Sequence, residues 1–175
     1  MFHYVRGLLV LNEPGARAPG SSSLVDRWLV IRTPGGTIMR AFDYTHLPPE
    51  GALLSEREGI QEGNTYTFIL TVLAYTLAKS DNATHALDDG ADIWRGTVID
   101  SQWVLSDEGY LTVDPQEIGT YNGVLLETAI GQVIIPRSRF EIDEHCERLP
   151  RPLTCQQGDV FYWDQIRLSL LAILA

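Results

Sequence analysis

The stretch Gly63-Asn64-Thr65-Tyr66-Thr67-Phe68-Ile69-Leu70-Thr71-Val72-Leu73 decides the fold that we expect for this chain. A glycine and a polar residue open it, and aromatic and β-branched side chains follow, which fit a pleated, buried surface better than a helix. Alternate residues of a strand face opposite sides, and both faces here are largely apolar. One face carries Tyr66, Phe68, Leu70 and Val72, and the other carries Ile69, Leu73 and Tyr75. This pattern predicts a central strand that is covered on both sides.

A partial echo of this stretch lies near the end of the chain, at Gly158-Asp159-Val160-Phe161-Tyr162-Trp163-Asp164. It predicts a closing strand over residues 160–174. Four apolar residues of that strand are expected to face one way, namely Ile166, Leu168, Leu170 and Ala172.

Further echoes indicate an internal repeat. Residues 6–10 match residues 95–99 at an offset of 89, and residues 29–38 match residues 125–134 at an offset of 96. In both halves the predicted order is a single strand, a hairpin, a long loop and a strand that begins after a glycine and a polar residue. The alternative is that any all-β chain shows hairpins at such spacing.

Turn-forming residues divide the rest of the chain into shorter strands. In the first half, strands are predicted at 4–11, 27–32 and 37–44, with a loop over 12–23 and one helical turn within 53–58. In the second half they are predicted at 93–99, 102–105, 110–113, 124–129 and 132–135.

These elements predict an all-β protein with little helix, built from two similar small barrel-like halves or as one pseudo-symmetric β-barrel. Residues 1–80 would form the first half, residues 81–92 a polar connection and residues 93–175 the second half. In strand order each half resembles an OB-fold or a related small β-barrel. The resemblance rests on strand order alone, without a family motif, and it assigns no functional residues.

Composition and charge narrow the classes of function. The chain has 175 residues, of which 45% are hydrophobic and 21% charged, a globular balance rather than a disordered one. Its formal net charge of −10 argues against non-specific binding to nucleic acids and to anionic membranes. Apart from Lys79, every cationic side chain other than histidine is an arginine, the residue better suited to fixed bidentate contacts.

The sequence favours a cytoplasmic protein. Its first residues lack the basic start and long apolar core of a signal peptide. The longest apolar run, residues 170–175, is far shorter than the roughly 20 residues of a membrane helix. Two cysteines do not make a disulfide framework.

No catalytic motif occurs in the sequence, so an enzyme is not favoured. A GxSxG elbow, a GxxxxGK[ST] loop and a GxGxxG loop are all missing from it. His145, Cys146 and Cys155 could offer soft metal ligands, but CxxC spacing and a nearby fourth ligand are missing. We therefore predict no metal and no cofactor, and the cysteines would be free thiols or one disulfide.

Aromatic and arginine side chains on the predicted strands are the candidate binding residues. They are Trp28, Arg32, Arg40, Tyr44, Trp94, Arg95, Trp103, Tyr110, Tyr121, Arg137 and Arg139. The sequence favours a non-enzymatic interaction or assembly module that binds a protein partner, or a second copy of itself, through a barrel surface. The alternative is an OB-like protein that binds single-stranded nucleic acid, and a second alternative is an uncharacterised enzyme or metal-binding protein.

Overall fold

In the computed structural model the chain is built almost entirely from β-strands, as predicted. The structure describes residues 3–17, 19–20, 24–44, 46–47, 52–79, 93–104, 122–143, 145 and 147–174. One helical turn, α1 (Leu54–Arg57), and one 3-10 turn, Arg137–Phe140, are the helical elements within these ranges. The prediction of an all-β, barrel-like fold with little helix is confirmed.

Most strands agree closely with the predicted ones, but the first strand extends into the predicted loop as far as Pro14, residues 93–104 form one strand instead of two, and the short strands at 46–47 and 52–53 were not predicted. In chain order the strands are β1 (Val5–Pro14), β2 (Arg27–Arg32), β3 (Ile38–Asp43), β4 (His46–Leu47), β5 (Ala52–Leu53), β6 (Thr65–Lys79), β7 (Ile93–Val104), β8 (Asn122–Thr128), β9 (Gly131–Pro136) and β10 (Val160–Leu174). Over the described part of the chain, no helix is long and apolar enough to cross a membrane. The predicted connection 81–92 and the predicted strand 110–113 lie outside the described residues.

Five strands close into a barrel in the order β1-β2-β3-β10-β6, because β6 pairs back with β1. Three further strands continue the sheet from β6 in the order β9, β8 and β7, and β7 returns to β10. The hydrogen bonds thus close two circuits of strands, which share β6 and β10. Neighbouring strands in both circuits are antiparallel, except that β3 is parallel to β10 and β6 is parallel to β9. The closed hydrogen bonding protects most strand edges from unwanted pairing.

The pairing of β6 with β10 is the longest in the molecule. It runs antiparallel from Lys79 opposite Phe161 to Thr67 opposite Leu174. Both strands have 15 residues. Since β6 comes from the first predicted half and β10 from the second, the barrel draws strands from both. The division of the chain at 81–92 stays a prediction.

The backbone pairing of β1 with β2 has an equivalent in β7 with β8. Leu9 lies opposite Ile31, and Val98 lies opposite Leu126. Each of these two strand pairs has a bulge directly after that position, between Leu9 and Leu11 in β1 and between Val98 and Asp100 in β7. The N–H groups of two glycines then bond the same strand positions, Gly63 to the Leu9 carbonyl at 2.8 Å and Gly158 to the Val98 carbonyl at 2.9 Å. Both glycines have positive φ, which an L side chain rarely adopts.

These pairings also correct the predicted sequence offset of 96 between the hairpin of β2 and β3 and the hairpin of β8 and β9. Ile31 corresponds to Leu126, at an offset of 95, and not to Glu127 as the offset of 96 requires. Burial explains the difference, because Ile31 and Leu126 are both fully buried whereas Glu127 is exposed. A slip of one residue would turn an entire strand face outward.

The main core lies inside the sheet and is shared by the barrel and the three further strands. Its large side chains include Leu9, Ile31, Phe68, Leu70, Leu126, Phe161 and Trp163. A smaller core lies on the opposite face of β6 and β10, where Ile69, Leu171 and Ala172 pack against Trp103, Leu125 and Ile134. The prediction that both faces of β6 are covered is therefore right at Ile69, but Leu73 is 41% exposed.

A bulge in β10 overturns the predicted single face of that strand. Leu168 and Leu170 point into the main core, but Ala172 belongs to the smaller core and Ile173 takes its place in the main one. The register of β10 against β6 shifts between Leu170 and Ala172, and the extra residue reverses the alternation of side chains. The side chain of Ile166 is outside the described part of the molecule.

We predict that Gly96→Ala destabilises the protein by about 1–3 kcal/mol, the usual cost of overpacking a core. A Cβ at Gly96 would lie 2.9 Å from the Leu126 Cβ and 2.9 Å from the Trp163 ring, both of which are buried. Gly35→Ala is the matched control, because the nearest atom to a Cβ there is 3.9 Å away. Urea unfolding measures both variants, and equal midpoints would contradict this account of the packing.

Candidate functional site

The register of β2 and β3 places aromatic and arginine side chains on the outside of the barrel. Trp28 lies opposite Phe42, and Val30 lies opposite Arg40. The residues that alternate with them, Leu29 and Ala41 among others, are fully buried in the main core. Since side chains alternate along a strand, Trp28, Arg40 and Phe42 share the outer face. Together with Tyr44 and Arg167 they form what we term the aromatic–arginine face.

Three rings of this face contact one another in a row. The centroids of Trp28 and Phe42 are 4.7 Å apart, and those of Phe42 and Tyr44 are 5.5 Å apart with planes inclined by 25°. Such offset contacts stabilise aromatic pairs beyond simple burial. Tyr44, at the end of the row, is 49% exposed. The row therefore forms a fixed aromatic platform with an accessible end.

Two guanidinium groups cover the rings. The Arg40 Cζ lies 4.8 Å from the centroid of the Trp28 ring. The Arg167 Cζ lies 4.2 Å from the Phe42 centroid and 5.6 Å from the Tyr44 centroid. These are cation–π distances, at which the charge and the ring hold each other in place.

The charge of this face differs in sign from that of the whole chain. Arg40 forms an ion pair with Glu13, whose strand position lies opposite Trp28. Arg32 follows Trp28 by four residues on β2 and is exposed on the same side. Among the described side chains on this side of β2 and β3, Arg32, Arg40 and Arg167 outnumber Glu13, whereas the formal net charge of the whole chain is −10.

The equivalent face of β8 and β9 is covered from within the chain. Leu125 lies opposite Ile134, as Val30 lies opposite Arg40 in β2 and β3. Leu125 and Ile134 are both fully buried, in the smaller core. The same strand face is therefore apolar and buried in one hairpin and aromatic, charged and partly exposed in the other.

Trp94 and Arg95 lie elsewhere, at the start of β7. Both line a cleft of about 590 Å³ between the beginning of β7 and the turn that joins β8 to β9. Trp94 is partly buried against the main core, and Arg95 is exposed. Thr37, from the turn between β2 and β3, also lines the cleft.

Trp103 is a core residue, only 2% exposed. Its indole Nε1 donates a hydrogen bond of 2.9 Å to the Tyr4 hydroxyl, and the two rings meet edge to face at 6.5 Å. A partner could not reach this ring without opening the smaller core. Tyr110 and Tyr121 lie outside the described residues.

Arg137 and Arg139 lie on the 3-10 turn after β9, away from the aromatic–arginine face. Both are half-buried, and Phe140 anchors the turn in the main core. Arg139 lines a small cavity of about 100 Å³ together with Asp143. Of the predicted binding residues, the structure thus brings Trp28, Arg40 and Tyr44 together on the aromatic–arginine face, and Arg32 lies on the same outer side of β2.

Phe42 and Arg167 belong to this face but were missed by the sequence analysis. Phe42 lies midway between Arg40 and Tyr44 in the alternation of β3, so the pattern could have found it. Arg167 comes from a strand 125 residues further on, and the parallel pairing of β3 with β10 brings it here. No local signal in the sequence predicts that pairing.

The candidate metal ligands give no cluster among the residues that the structure describes. Groups of three or more His, Cys, Asp and Glu side chains that could hold a metal ion are not found there. His145 is exposed, Cys155 is half-buried and free, and Cys146 lies outside the described ranges. Burial raises the pKa of the Cys155 thiol to about 11, although the nearby Arg137 guanidinium acts in the opposite direction.

Two carboxyl groups nearby are held in their ionised forms. The Lys79 ammonium, 2.9 Å away, lowers the pKa of Asp159, and the Gln156 N–H adds to the effect. The N–H of Glu147 donates to Asp143 and lowers its pKa. Both groups are therefore ionised at neutral pH and suited to holding loops rather than to donating protons.

We predict that Cys155 reacts slowly with iodoacetamide at neutral pH and faster as the pH rises through 10. The thiolate is the nucleophile, and with a pKa of about 11 only about one thiol in a thousand is ionised at pH 8. Peptide mapping by mass spectrometry measures the rate at Cys155 separately from that at Cys146. A rate that levels off near pH 8 or 9 would show that burial does not suppress ionisation here.

Comparison with known proteins adds no relative. No protein-family model matches this sequence, and neither a curated protein nor a solved structure matches it.

Proposed function

We propose that this protein is a non-enzymatic interaction module that binds a protein partner through the aromatic–arginine face. The observation that carries the proposal is the row of Trp28, Phe42 and Tyr44 rings under the Arg40 and Arg167 guanidinium groups. Tryptophan, tyrosine and arginine are the residues that most often dominate binding energy at protein interfaces. Here they are already ordered, which lowers the entropy lost on binding.

The partner surface that fits this face is acidic and partly apolar. Arginine forks bind carboxylates in two parallel hydrogen bonds, and a desolvated pairing of this kind contributes to specificity. Leu125 and Ile134 support the proposal by comparison, because the equivalent face of β8 and β9 is buried by the chain itself. The partner would cover the outer face of β2 and β3, as Ile69 and Leu171 cover the equivalent face of β8 and β9.

The proposal includes an origin and a setting. Descent of the two halves from one repeated OB-like unit is supported by the equivalent bulges of β1–β2 and β7–β8. A reducing, cytoplasmic setting is supported by the free thiol of Cys155.

We expect Tyr44→Ala and Arg40→Ala each to weaken partner binding about thirtyfold, equivalent to about 2 kcal/mol for the loss of one hot-spot residue. The measurement begins with a pull-down from extracts of the native host, followed by titration calorimetry with the purified partner. Sedimentation velocity of the purified protein detects a second copy as the partner. The loss of the exposed Arg40–Glu13 ion pair costs stability little, so a folding defect does not explain the result.

Arg151→Ala is the matched control, because Arg151 is an exposed arginine in the loop before β10, away from this face. It should bind like the unaltered protein. The proposal fails if the two variants and the control retain the same partner with the same affinity. It also fails if the protein stays monomeric and retains no partner at all.

Single-stranded nucleic acid is the second candidate, favoured by the same row of rings. Bases stack on aromatic side chains, and flanking guanidinium groups hold the phosphates. For a fluorescent oligothymidylate of about 12 nucleotides, this function predicts binding that weakens with salt. Arg40→Ala should then lower the slope of log affinity against log salt by about 0.7, the share of one single-strand phosphate contact. Binding that salt does not change, or none, would exclude this candidate.

A further inference from the structure

The cleft at the start of β7 lies beside an open strand edge. β7 pairs with β10 from Ile93 onward, but its pairing with β8 begins only at Thr97. β8 ends at Thr128, and the chain turns there into β9. The segment Ile93–Arg95 of β7 therefore has a strand on one side and the cleft on the other.

The direction of the backbone groups follows from the hydrogen bonds further along β7. The N–H of Val98 donates to Asp159, and its carbonyl accepts from Gly158, so both groups of Val98 point toward β10. Because these directions alternate along a strand, the groups of Arg95 and Ile93 point the other way, into the cleft. Among the described residues these groups have no hydrogen-bond partner.

The cleft has room and side chains for a short segment of chain. Its volume of about 590 Å³ lies within the range of about 300–1,000 Å³ that is typical of ligand sites. Ile93, Trp94 and Ile130 supply apolar surface, and Thr37 also lines the cleft. An open edge of three residues is about 10 Å long, enough to pair with three or four residues of an extended chain.

The charge at the edge selects among such segments. Arg95 is exposed and forms no ion pair among the described residues. The Glu127 carboxylate also lines the cleft, at the β8 residue that pairs with Thr97, and it accepts a hydrogen bond of 2.9 Å from the Gln132 amide. The charge carried by the open segment itself is therefore the positive charge of Arg95. An acidic side chain on the facing strand would satisfy it.

We infer that this edge binds an extended peptide segment of another protein, which adds a strand beside Ile93–Arg95 and places an acidic side chain opposite Arg95. The bound segment would occupy the position beside β7 that β8 no longer fills after Thr128, and its backbone would hydrogen-bond the open N–H and carbonyl groups of Ile93 and Arg95. This site is separate from the aromatic–arginine face, and it stands or fails independently of the function proposed for that face.

The test uses the full-length protein and a positional-scanning library of blocked hexapeptides, captured on the immobilised protein and then measured singly by fluorescence polarisation. We expect selection of one acidic position flanked by β-branched residues. Arg95→Glu should replace that preference by one for lysine, with a change of about three- to fivefold for each peptide. N-methylation of the peptide backbone at the paired positions should weaken binding about tenfold or more, because the main-chain hydrogen bonds are lost.

Arg6→Glu is the matched control. Arg6 lies two residues before Leu8, where β1 begins to pair with β2, just as Arg95 lies two residues before Thr97, where β7 begins to pair with β8, and both arginines are exposed. It should leave the acidic preference unchanged. The inference is overturned if the library yields no selected peptide, if Arg95→Glu leaves the preference as it was, or if N-methylation has no effect. Variants of Tyr44 and Arg40 should bind the selected peptides normally, so failure here and failure of the proposed function give different results.

Discussion

The antiparallel pairing of β6 with β10 is the interaction on which the rest of the structure depends. Both circuits of the sheet pass through these strands, since β1 and β9 pair with β6 while β3 and β7 pair with β10. Their two faces carry side chains of both cores, Phe68 on one side and Ile69 on the other. Loss of this pairing would open the barrel and disrupt both cores at the same time.

The fold was predictable from sequence wherever the alternation of side chains is uninterrupted. The residue pattern of 65–78 and 160–174 places β6 and β10 almost to the residue. The bulge after Leu170 is not visible in the pattern, because Leu171, Ala172 and Ile173 are all apolar and fit either face. For the same reason the predicted match between the two hairpins was wrong by one residue, because Leu125 and Leu126 are chemically alike.

The candidate site was predictable in part, for a related reason. Trp28, Arg40 and Tyr44 belong to one hairpin, and local alternation is enough to group them on one side. Arg167 reaches their rings only through a parallel pairing between distant strands, and such pairings leave no mark in the local sequence. Trp103 resembles the other tryptophans in sequence, but it packs in the smaller core, where its indole N–H bonds the hydroxyl of the distant Tyr4.

The position of β10 in the chain has a consequence for synthesis in the cell. β6 ends at Lys79 and β10 begins only at Val160, so β6 leaves the ribosome well before the strand that completes the barrel. Until then the nascent polypeptide exposes the apolar faces of β6, and its native contacts span long stretches of sequence. Closure of the barrel therefore waits for the synthesis of β10, and until then β6 is an apolar strand of the kind that chaperones shield.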